Sequence, residues 1–235
     1  MRTWVDSVRS VNATCTFNAA AGATLATCAT YGTVATVSGV RVLALSKQTS
    51  LAFSPPILTG TAASFTFSAL LYVNVAGVVG FNTILCDNQG SGVNADLRLY
   101  GVAFANFSSG VAFTTAALNS ARVTLFSAPL RTPPGVGLSP QAGAWFVLTV
   151  TYAADTYPPV GEIFVNGARV ATGVVSLYSA GALRPLTFFN NDDGTDGAYG
   201  ISGYTAQVAW WSGQALNASQ VAQHYDSLRT DFAAL

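Results

Sequence analysis

Hydrophobic and polar residues alternate along several short segments of this chain, as expected for β-strands that bury one face. In residues 64–75 the apolar positions recur at every second residue: Phe65, Phe67, Ala69, Leu71, Val73 and Val75. Further segments predicted to be strands or strand pairs are residues 96–102, 123–126, 145–152, 162–171 and 207–211. One of them contains Asn166-Gly167, and Asn-Gly between apolar runs is a strong signal for a two-residue hairpin turn.

A short helix is predicted after the last strand. Asn217 is a favourable N-cap, and Gln220 three residues later completes a capping-box pattern. Leu216 and Val221 flank the cap in the positions of a hydrophobic staple. The apolar positions of the helix then fall on one face: Val221, Tyr225 and Leu228. One capped helix therefore closes a chain that otherwise consists of strands and loops.

Clusters of Pro, Gly, Asn and Asp separate the strands, and their spacing favours an antiparallel sandwich over a parallel sheet with crossover helices. The predicted fold class is all-β: an antiparallel β-sandwich jelly roll with one short C-terminal helix. Residues 1–42 are rich in small residues and Thr, and they hold two of the three cysteines. We interpret them as an N-terminal β extension packed on a main domain at residues 43–235.

The distribution of charge argues against a nucleic-acid partner, and the length of the apolar runs argues against a membrane span. Only 9% of the residues are charged, compared with about 25% in an ordinary soluble domain. The ten basic residues, nine Arg and Lys47, form no cluster, whereas a nucleic-acid-binding surface needs grouped Lys and Arg. The best apolar run, residues 69–81, contains Asn74 and is shorter than the roughly 20 residues that span a bilayer. We expect neither a nucleic-acid partner nor a membrane span.

Several segments, in this order, resemble a known family. Residues 43–73 resemble the opening of a laminin-G-like domain of the concanavalin A-like class, with a Pro-marked turn before its strand. Residues 145–152 (WFVLTVTY) and 162–170 (EIFVNGARV) resemble its Trp-containing strand and its Asn-Gly hairpin, and residues 200–224 resemble its closing strand and helix. The resemblance implies a laminin-G-like jelly roll of two antiparallel sheets. Such domains bind sugars, proteins or calcium, and some serve only as packing units.

The loop at residues 190–197 is rich in oxygen donors. Four of its side chains are candidate ligands for calcium: Asn190, Asp192, Asp193 and Asp196. Ca²⁺ takes about six to eight oxygen ligands, and Asp87 and Asn88 in another loop would add donors if the fold brings them close. The alternative is a solvated turn, in which Asn, Asp and Gly are common anyway. Laminin-G-like domains can hold calcium at a loop rim, so the resemblance favours the metal site.

Three aromatic residues near the last strand are candidates for stacking on a sugar ring: Tyr199, Tyr204 and Trp211. Adjacent residues of a strand point to opposite faces, so an inward Trp210 directs Trp211 towards solvent or a cavity. An exposed Trp suggests a contact surface. The alternative is that a neighbouring strand, helix or loop covers Trp211.

The chain offers few groups for catalysis. Glu162 is the only glutamate, and no second acid lies near it in sequence, whereas most glycosidases use two carboxylates about 5–10 Å apart. His224 is the only histidine and lies on the predicted helix, where packing or solvation is the simpler interpretation. No Gly-x-Ser-x-Gly motif is present. We predict that the chain is not an enzyme, and a glycan-active enzyme ranks third among its functions.

Cysteine usage leaves two interpretations open. Cys15 and Cys28 flank a turn rich in Gly and Ala, and they are either a disulfide formed in an oxidising compartment or two buried thiols. Cys86, in the apolar segment TILCD, is expected to be an inert buried thiol. Three cysteines and one histidine provide no zinc-binding spacing.

The scarcity of charge also bears on function. Sheet edges of free proteins are usually guarded by Lys or other charges, and this chain has one Lys and a net charge of zero. Copies or partner proteins could therefore cover its strands in a homo-oligomer, coat, wall, fibre or virion. The function we rank first is non-catalytic recognition or adhesion, with a glycan as ligand, at an extracellular, cell or virion surface. The alternative is a structural component of such an assembly.

Overall fold

In the computed structural model, the described residues are 3–5, 12–17, 34–45, 49–54, 64–73, 81–88, 93–100, 110–115, 123–126, 144–174, 187–188 and 202–235. Side chains are described for residues 34–45, 64–73, 84, 144–174 and 202–235, except residue 212. These residues contain strands of both sheets and the C-terminal helix.

The described residues form fifteen strands and a helix. The strands are β1 (Thr3–Val5), β2 (Asn12–Phe17), β3 (Val34–Val37), β4 (Val40–Leu45), β5 (Thr49–Ser54), β6 (Phe65–Val73), β7 (Phe81–Asn88), β8 (Val93–Tyr100), β9 (Gly110–Thr115), β10 (Val123–Phe126), β11 (Trp145–Ala153), β12 (Val160–Val165), β13 (Ala168–Val174), β14 (Thr187–Phe188) and β15 (Gly203–Ser212). The helix is α1 (Ala218–Asp231).

The strands make two antiparallel sheets. The eight-stranded sheet has the order β1-β2-β5-β14-β7-β8-β9-β10, and the seven-stranded sheet has the order β13-β12-β11-β6-β15-β4-β3. Each neighbouring pair in both orders is antiparallel. The predicted antiparallel β-sandwich of jelly-roll type, with a short C-terminal helix, is confirmed.

The inner face of the seven-stranded sheet holds four of the largest buried side chains. β6 supplies Phe65, Phe67 and Leu71 to this face, and all three have no exposed surface. The register places Tyr152 of β11 opposite Phe65, and their ring centroids lie 5.3 Å apart. Trp210 of β15 stacks on Phe65 with a centroid distance of 4.8 Å. The apolar face predicted for β6 is therefore the core face.

The outer face of the same sheet is also buried, because α1 lies across it. Thr66 and Ser68 occupy the polar side of β6, yet they are 0% and 1% exposed. The Thr66 hydroxyl donates to the carbonyl oxygen of Gln214 at 3.0 Å, and Ser68 Oγ lies 2.9 Å from Thr149 Oγ1. Buried hydroxyls are tolerated here because each has a hydrogen-bond partner.

Helix α1 begins as predicted. The Asn217 side chain accepts from Gln220 N at 3.0 Å, and the Gln220 side chain accepts from Asn217 N at 2.9 Å, which completes the capping box. Leu216 and Val221 are buried together with Phe164, as a hydrophobic staple predicts. Leu228 packs with four buried residues of the sheet: Val42, Leu70, Val147 and Ala206. In the described part of the chain, no helix is both long and apolar enough to cross a membrane.

Two tight hairpins share one turn geometry. Asn166 and Gly167 join β12 to β13 with φ of 49° and 76°, and Ser38 and Gly39 join β3 to β4 with φ of 48° and 82°. Positive φ at both central residues is the type I′ pattern. The Asn166-Gly167 hairpin is confirmed, whereas the Ser38-Gly39 hairpin was not predicted from the sequence. Asn166 also extends the sheet, since its N donates to the Val147 carbonyl at 2.9 Å and its Oδ1 accepts from Val147 N at 2.8 Å.

The N-terminal strands join both sheets. β2 pairs with β5 in the eight-stranded sheet, and β3 pairs with β4 in the seven-stranded sheet. A boundary between residues 42 and 43 falls inside β4. The division into an extension at residues 1–42 and a main domain at residues 43–235 stays a prediction.

One local expectation is wrong. Asp87 and Asn88 do not belong to a loop, because they are the last two residues of β7 and pair with Ala95 and Val93 of β8. A register shift between Asp87 and Asn88 lets the ladder continue past the irregular point. Strand β7 therefore extends two residues further than the sequence indicates.

Candidate ligand site beside the C-terminal helix

Three aromatic residues lie side by side on the outer face of the seven-stranded sheet. Tyr204 of β15, Tyr72 of β6 and Trp145 of β11 follow one another directly across the strands. The ring centroids of Tyr204 and Tyr72 are 5.8 Å apart, and those of Tyr72 and Trp145 are 5.6 Å apart. All three side chains are partly exposed. We call these three residues the aromatic row.

Two backbone features place Tyr204 in the aromatic row. Gly203 has a φ of +154°, and a Cβ there would lie 1.9 Å from the carbonyl oxygen of Tyr72, so the close approach of β15 to β6 requires glycine. The register between the two strands also shifts between Thr205 and Gln207. Because one extra residue in a strand reverses the faces of the side chains beyond it, this bulge turns Tyr204 to the face of Tyr72.

A groove of about 340 Å³ continues from the aromatic row towards the C-terminal end of α1. Trp145 belongs to both the row and the groove. The sheet forms the floor, and the helix with the residues that follow it forms one wall. The other prominent lining residues are Asn166, Tyr225, Arg229, Phe232 and Leu235. Ligand sites for small molecules have volumes of about 300–1,000 Å³, so the groove can hold part of a small ligand.

Polar groups at the row and the groove are available to a ligand. The hydroxyls of Tyr72 and Tyr204 have no hydrogen-bond partner within the part of the chain that the structure describes. The Arg229 guanidinium lies 5.8 Å from the centre of the Tyr225 ring and 4.0 Å from a carboxylate oxygen of Asp226. Arg229 and Asp226 are 67% and 71% exposed, so their pairing is weak and Arg229 can donate to a ligand.

His224, nearer the start of the helix, belongs to a buried polar chain. Its Nε2 lies 3.2 Å from Ser68 Oγ, which in turn lies 2.9 Å from Thr149 Oγ1. The Trp211 ring meets the His224 ring edge-on, with a centroid distance of 4.9 Å. Burial lowers the pKa of His224, because the charged imidazolium loses hydration there. Ser68 is 1% exposed, so its hydroxyl lies inside the interface between the sheet and the helix.

Two of the aromatic residues predicted to stack on a sugar are described by the structure. Tyr204 lies in the aromatic row. Trp211 is partly buried and packs with the hydrophobic staple of α1, so the element that covers it is the helix. A role for either residue in binding stays a prediction.

The other predicted site residues lack described side chains. Those outside the described residues are Asn190, Asp192, Asp193, Asp196, Tyr199 and Cys28. Cys15 belongs to β2, and Cys86, Asp87 and Asn88 belong to β7. The calcium site and the disulfide therefore stay predictions. Among the residues whose placement is described, no three His, Cys, Asp or Glu side chains form a group that could hold a metal ion.

Most residues of the row and the groove were not predicted as site residues, among them Tyr72, Trp145, Tyr225 and Arg229. Tyr72 and Trp145 gave only a weak signal, because each is one aromatic residue in a strand and their proximity depends on the pairing of β6 with β11. Tyr225 was predicted to lie on the packed face of the helix, and Arg229 one turn later carried no signal of its own in the sequence. Only the tertiary structure brings these residues to one place.

Glu162 forms an ion pair within the hairpin of β12 and β13. Its Oε1 lies 2.7 Å from Nη1 of Arg169, and the two side chains are 18% and 51% exposed. The only glutamate of the chain therefore has Arg169 as an ion-pair partner. The arrangement around it consists of one carboxylate and one guanidinium on neighbouring strands, which is a common cross-strand pair.

Comparisons with known proteins establish the fold alone. No protein-family model matches the sequence, and no curated protein matches it. The chain is similar to the binding domain of Paraclostridial Mosquitocidal Protein 1, with a TM-score of 0.62 and 11% identity over 83% of this chain and 45% of that chain. It is similar to domain 4 of AbnA, a GH43 extracellular arabinanase from Geobacillus stearothermophilus solved with arabinotriose, with a TM-score of 0.60 and 16% identity over 93% and 90% of the two chains.

A third similar structure is that of botulinum neurotoxin type C, whose cell entry depends on interaction with two ganglioside molecules. The TM-score is 0.57, with 12% identity over 95% of this chain and 48% of that chain. The chain thus spans less than half of both toxin structures and nearly all of the arabinanase domain. At these identities the likeness defines a class of fold, the jelly-roll-like β-sandwich found in binding domains.

Proposed function

We propose that this chain is a non-catalytic carbohydrate-binding domain of the laminin-G-like, concanavalin A-like class, acting outside the cell or on a particle surface. The observation that carries the proposal is the aromatic row beside the groove. Ligand sites combine aromatic side chains with a few well-placed polar groups, and the row offers three rings and two tyrosine hydroxyls. Sugars present both C–H faces and hydroxyls, so they match this combination. The arabinotriose complex of the similar arabinanase domain supports the same ligand class.

A glycan array tests this proposal. Trp145→Ala removes the residue shared by row and groove, and loss of a central aromatic anchor costs about 2 kcal/mol, which is roughly thirtyfold in Kd. Tyr157→Ala is the matched control, because Tyr157 is fully exposed in the loop between β11 and β12, at the other end of β11. Selective binding that falls with Trp145→Ala and persists with Tyr157→Ala supports the site. A blank array with folded protein, or equal loss in both variants, would contradict it.

Calcium is a separate proposal. The candidate ligands are Asn190, Asp192, Asp193 and Asp196, with Asp87 and Asn88 as additional donors. Ca²⁺ added to metal-stripped protein should raise the melting temperature, because a ligand bound only by the folded state stabilises it by about 2.7 kcal/mol at 100 times its Kd. Asp193→Asn should abolish the shift, whereas Asp226→Asn on the exposed face of α1 should not. No shift at millimolar Ca²⁺ would rule the site out.

The second candidate function is a structural component that packs against copies of itself. β3 is an edge of the seven-stranded sheet within the described residues, it carries no charged side chain, and Val34 on it is 38% exposed. Uncharged edges favour pairing with another strand. Thr36→Lys would place a charge on this exposed edge and should convert an assembly to monomers in light scattering. A wild-type protein that stays monomeric at every concentration would reject this function.

A further inference from the structure

The shape of the candidate site restricts the physical form of its ligand. We infer that the aromatic row and the groove bind a single, soluble carbohydrate chain and not the face of an insoluble crystalline polysaccharide. This inference rests on the proposed function and deepens it by naming the substrate class.

The tilt of the rings is the first observation. The planes of Tyr204 and Tyr72 meet at 52°, and those of Tyr72 and Trp145 meet at 56°. A flat crystal face can lie against several rings only if the rings share a plane. Neighbouring rings tilted by more than 50° cannot both lie flat on one surface. A flexible chain can instead turn from one sugar residue to the next and meet each ring separately.

The helix is the second observation. α1 lies on the same face of the sheet as the aromatic row, and both ends of the row, Tyr204 and Trp145, pack against the same buried cluster as Phe232 and Leu235. The residues after the helix are held by hydrogen bonds from Phe232 N to the Leu228 carbonyl at 2.9 Å and from Leu235 N to the Phe232 carbonyl at 3.0 Å. The aromatic row therefore lies beside α1 and the residues that follow it, which rise above the sheet like a wall. An extended flat surface would meet the wall before it met the rings.

The groove is the third observation, because it gives the chain a place to continue. Trp145 is the junction, and Asn166 and Arg229 add amide and guanidinium groups beyond it. A guanidinium only donates hydrogen bonds, which suits the hydroxyl and ring oxygens of a sugar. The row with the groove can therefore contact several consecutive sugar residues of one chain.

Two panels of probes test the inference with the full chain. The soluble panel is arabinan, xylan, mannan and mixed-linkage β-glucan, assayed by affinity electrophoresis, with oligosaccharides of increasing length for any polysaccharide that retards the protein. The insoluble panel is microcrystalline cellulose and crystalline chitin, assayed by depletion from solution. Each panel is run with the wild type, Trp145→Ala and the control Tyr157→Ala. If Trp145→Ala fails to fold, the variant Tyr204→Phe, which removes only a hydroxyl, takes its place as the test of the site.

We expect retardation by at least one soluble polysaccharide, no depletion by either crystalline probe, and a loss of roughly tenfold or more in Trp145→Ala with none in Tyr157→Ala. Affinity should rise with oligosaccharide length and then level off once the row and the groove are filled. Depletion by cellulose or chitin that Trp145→Ala abolishes would overturn the inference and leave the proposed function intact. Equal affinity for a monosaccharide and a long chain would also overturn the inference and leave the proposed function intact. Binding to no member of either panel would count against the proposed function itself, and the inference would fail with it.

Discussion

The contact between the Asn166-Gly167 hairpin and the helix can be measured, because the chain contains a matched turn that lacks it. Gly39 and Gly167 occupy the same position of two type I′ hairpins, with φ of 82° and 76°. A Cβ at Gly39 would meet nothing within 4 Å. A Cβ at Gly167 would meet three atoms of Tyr225, at 2.9 Å from Cδ1, 3.0 Å from Cβ and 3.1 Å from Cγ.

The two alanine substitutions should therefore differ in cost. An L-residue in the left-handed conformation costs about 1–2 kcal/mol, and Gly39→Ala should lose only this amount. Gly167→Ala loses the same amount and must also displace Tyr225. One of the crowded atoms is the Cβ of Tyr225, which cannot move without the helix backbone, and overpacking of this kind costs about 1–3 kcal/mol. We expect Gly167→Ala to lower the free energy of unfolding by about 2–5 kcal/mol.

Urea unfolding of the wild type and both variants measures the difference, and Tyr225→Ala provides the test of its cause. In the Tyr225→Ala background, Gly167→Ala should cost less than in the wild type, because the contacts with Cγ and Cδ1 are gone and only the 3.0 Å contact with the Cβ remains. Equal costs of the two glycine substitutions in the wild-type background would refute the proposed packing of the hairpin on α1. So would an excess cost at Gly167 that is undiminished without the tyrosine ring.

The remaining predictions concern the helix and the start of β15. Burial holds the pKa of His224 below 6.5 in the folded protein. The stability that depends on a neutral His224 is therefore fully present above pH 6.5 and is lost as the pH falls through the folded-state pKa. Urea unfolding at about pH 7.5 and about pH 5.5 should show this loss in the wild type and not in His224→Gln, and equal pH dependence would contradict it. Asn217→Ala should lower the free energy of unfolding by about 1 kcal/mol in the same assay, because the helix loses its cap. An unchanged free energy of unfolding would show that the cap is dispensable. Gly203→Ala should give little soluble protein, since its Cβ would overlap the Tyr72 carbonyl oxygen, and a well-folded variant would disprove that constraint.

Features that depend on neighbouring residues in the chain were predictable. The Asn166-Gly167 turn needs two residues of positive φ, and the cap of α1 needs the spacing of Asn217 and Gln220; both signals are local, and both structures form. The Ser38-Gly39 hairpin carried a weaker version of the same signal and was missed. Alternation along β6 identified its core face, because burial of one face imposes a period of two.

Features that depend on tertiary pairing were not predictable. Leu70 interrupts the polar side of β6, and only the structure shows the reason, which is that Leu228 of α1 packs against that side. Tyr204 reaches the aromatic row because of a bulge between Thr205 and Gln207, and nothing in the sequence around these residues announces an extra residue. The row itself joins three strands that are distant in the chain. Of the three residues in the aromatic row, Tyr204 was named as a candidate from the sequence, and its role in binding stays a prediction.

The central position of β6 has a consequence for how the chain is made. β6 pairs with β11 on one side and β15 on the other, so its two partners are synthesised long after it. At translation rates of about 5–20 residues per second, β6 waits roughly 4–16 s for the end of β11 and longer for β15. During this time a strand destined for burial on both faces has no sheet to join. Folding of the nascent chain should therefore be limited by the slow pairing of distant strands and should depend on chaperones. Expression yield should then respond more to translation speed than to the stability of the folded domain.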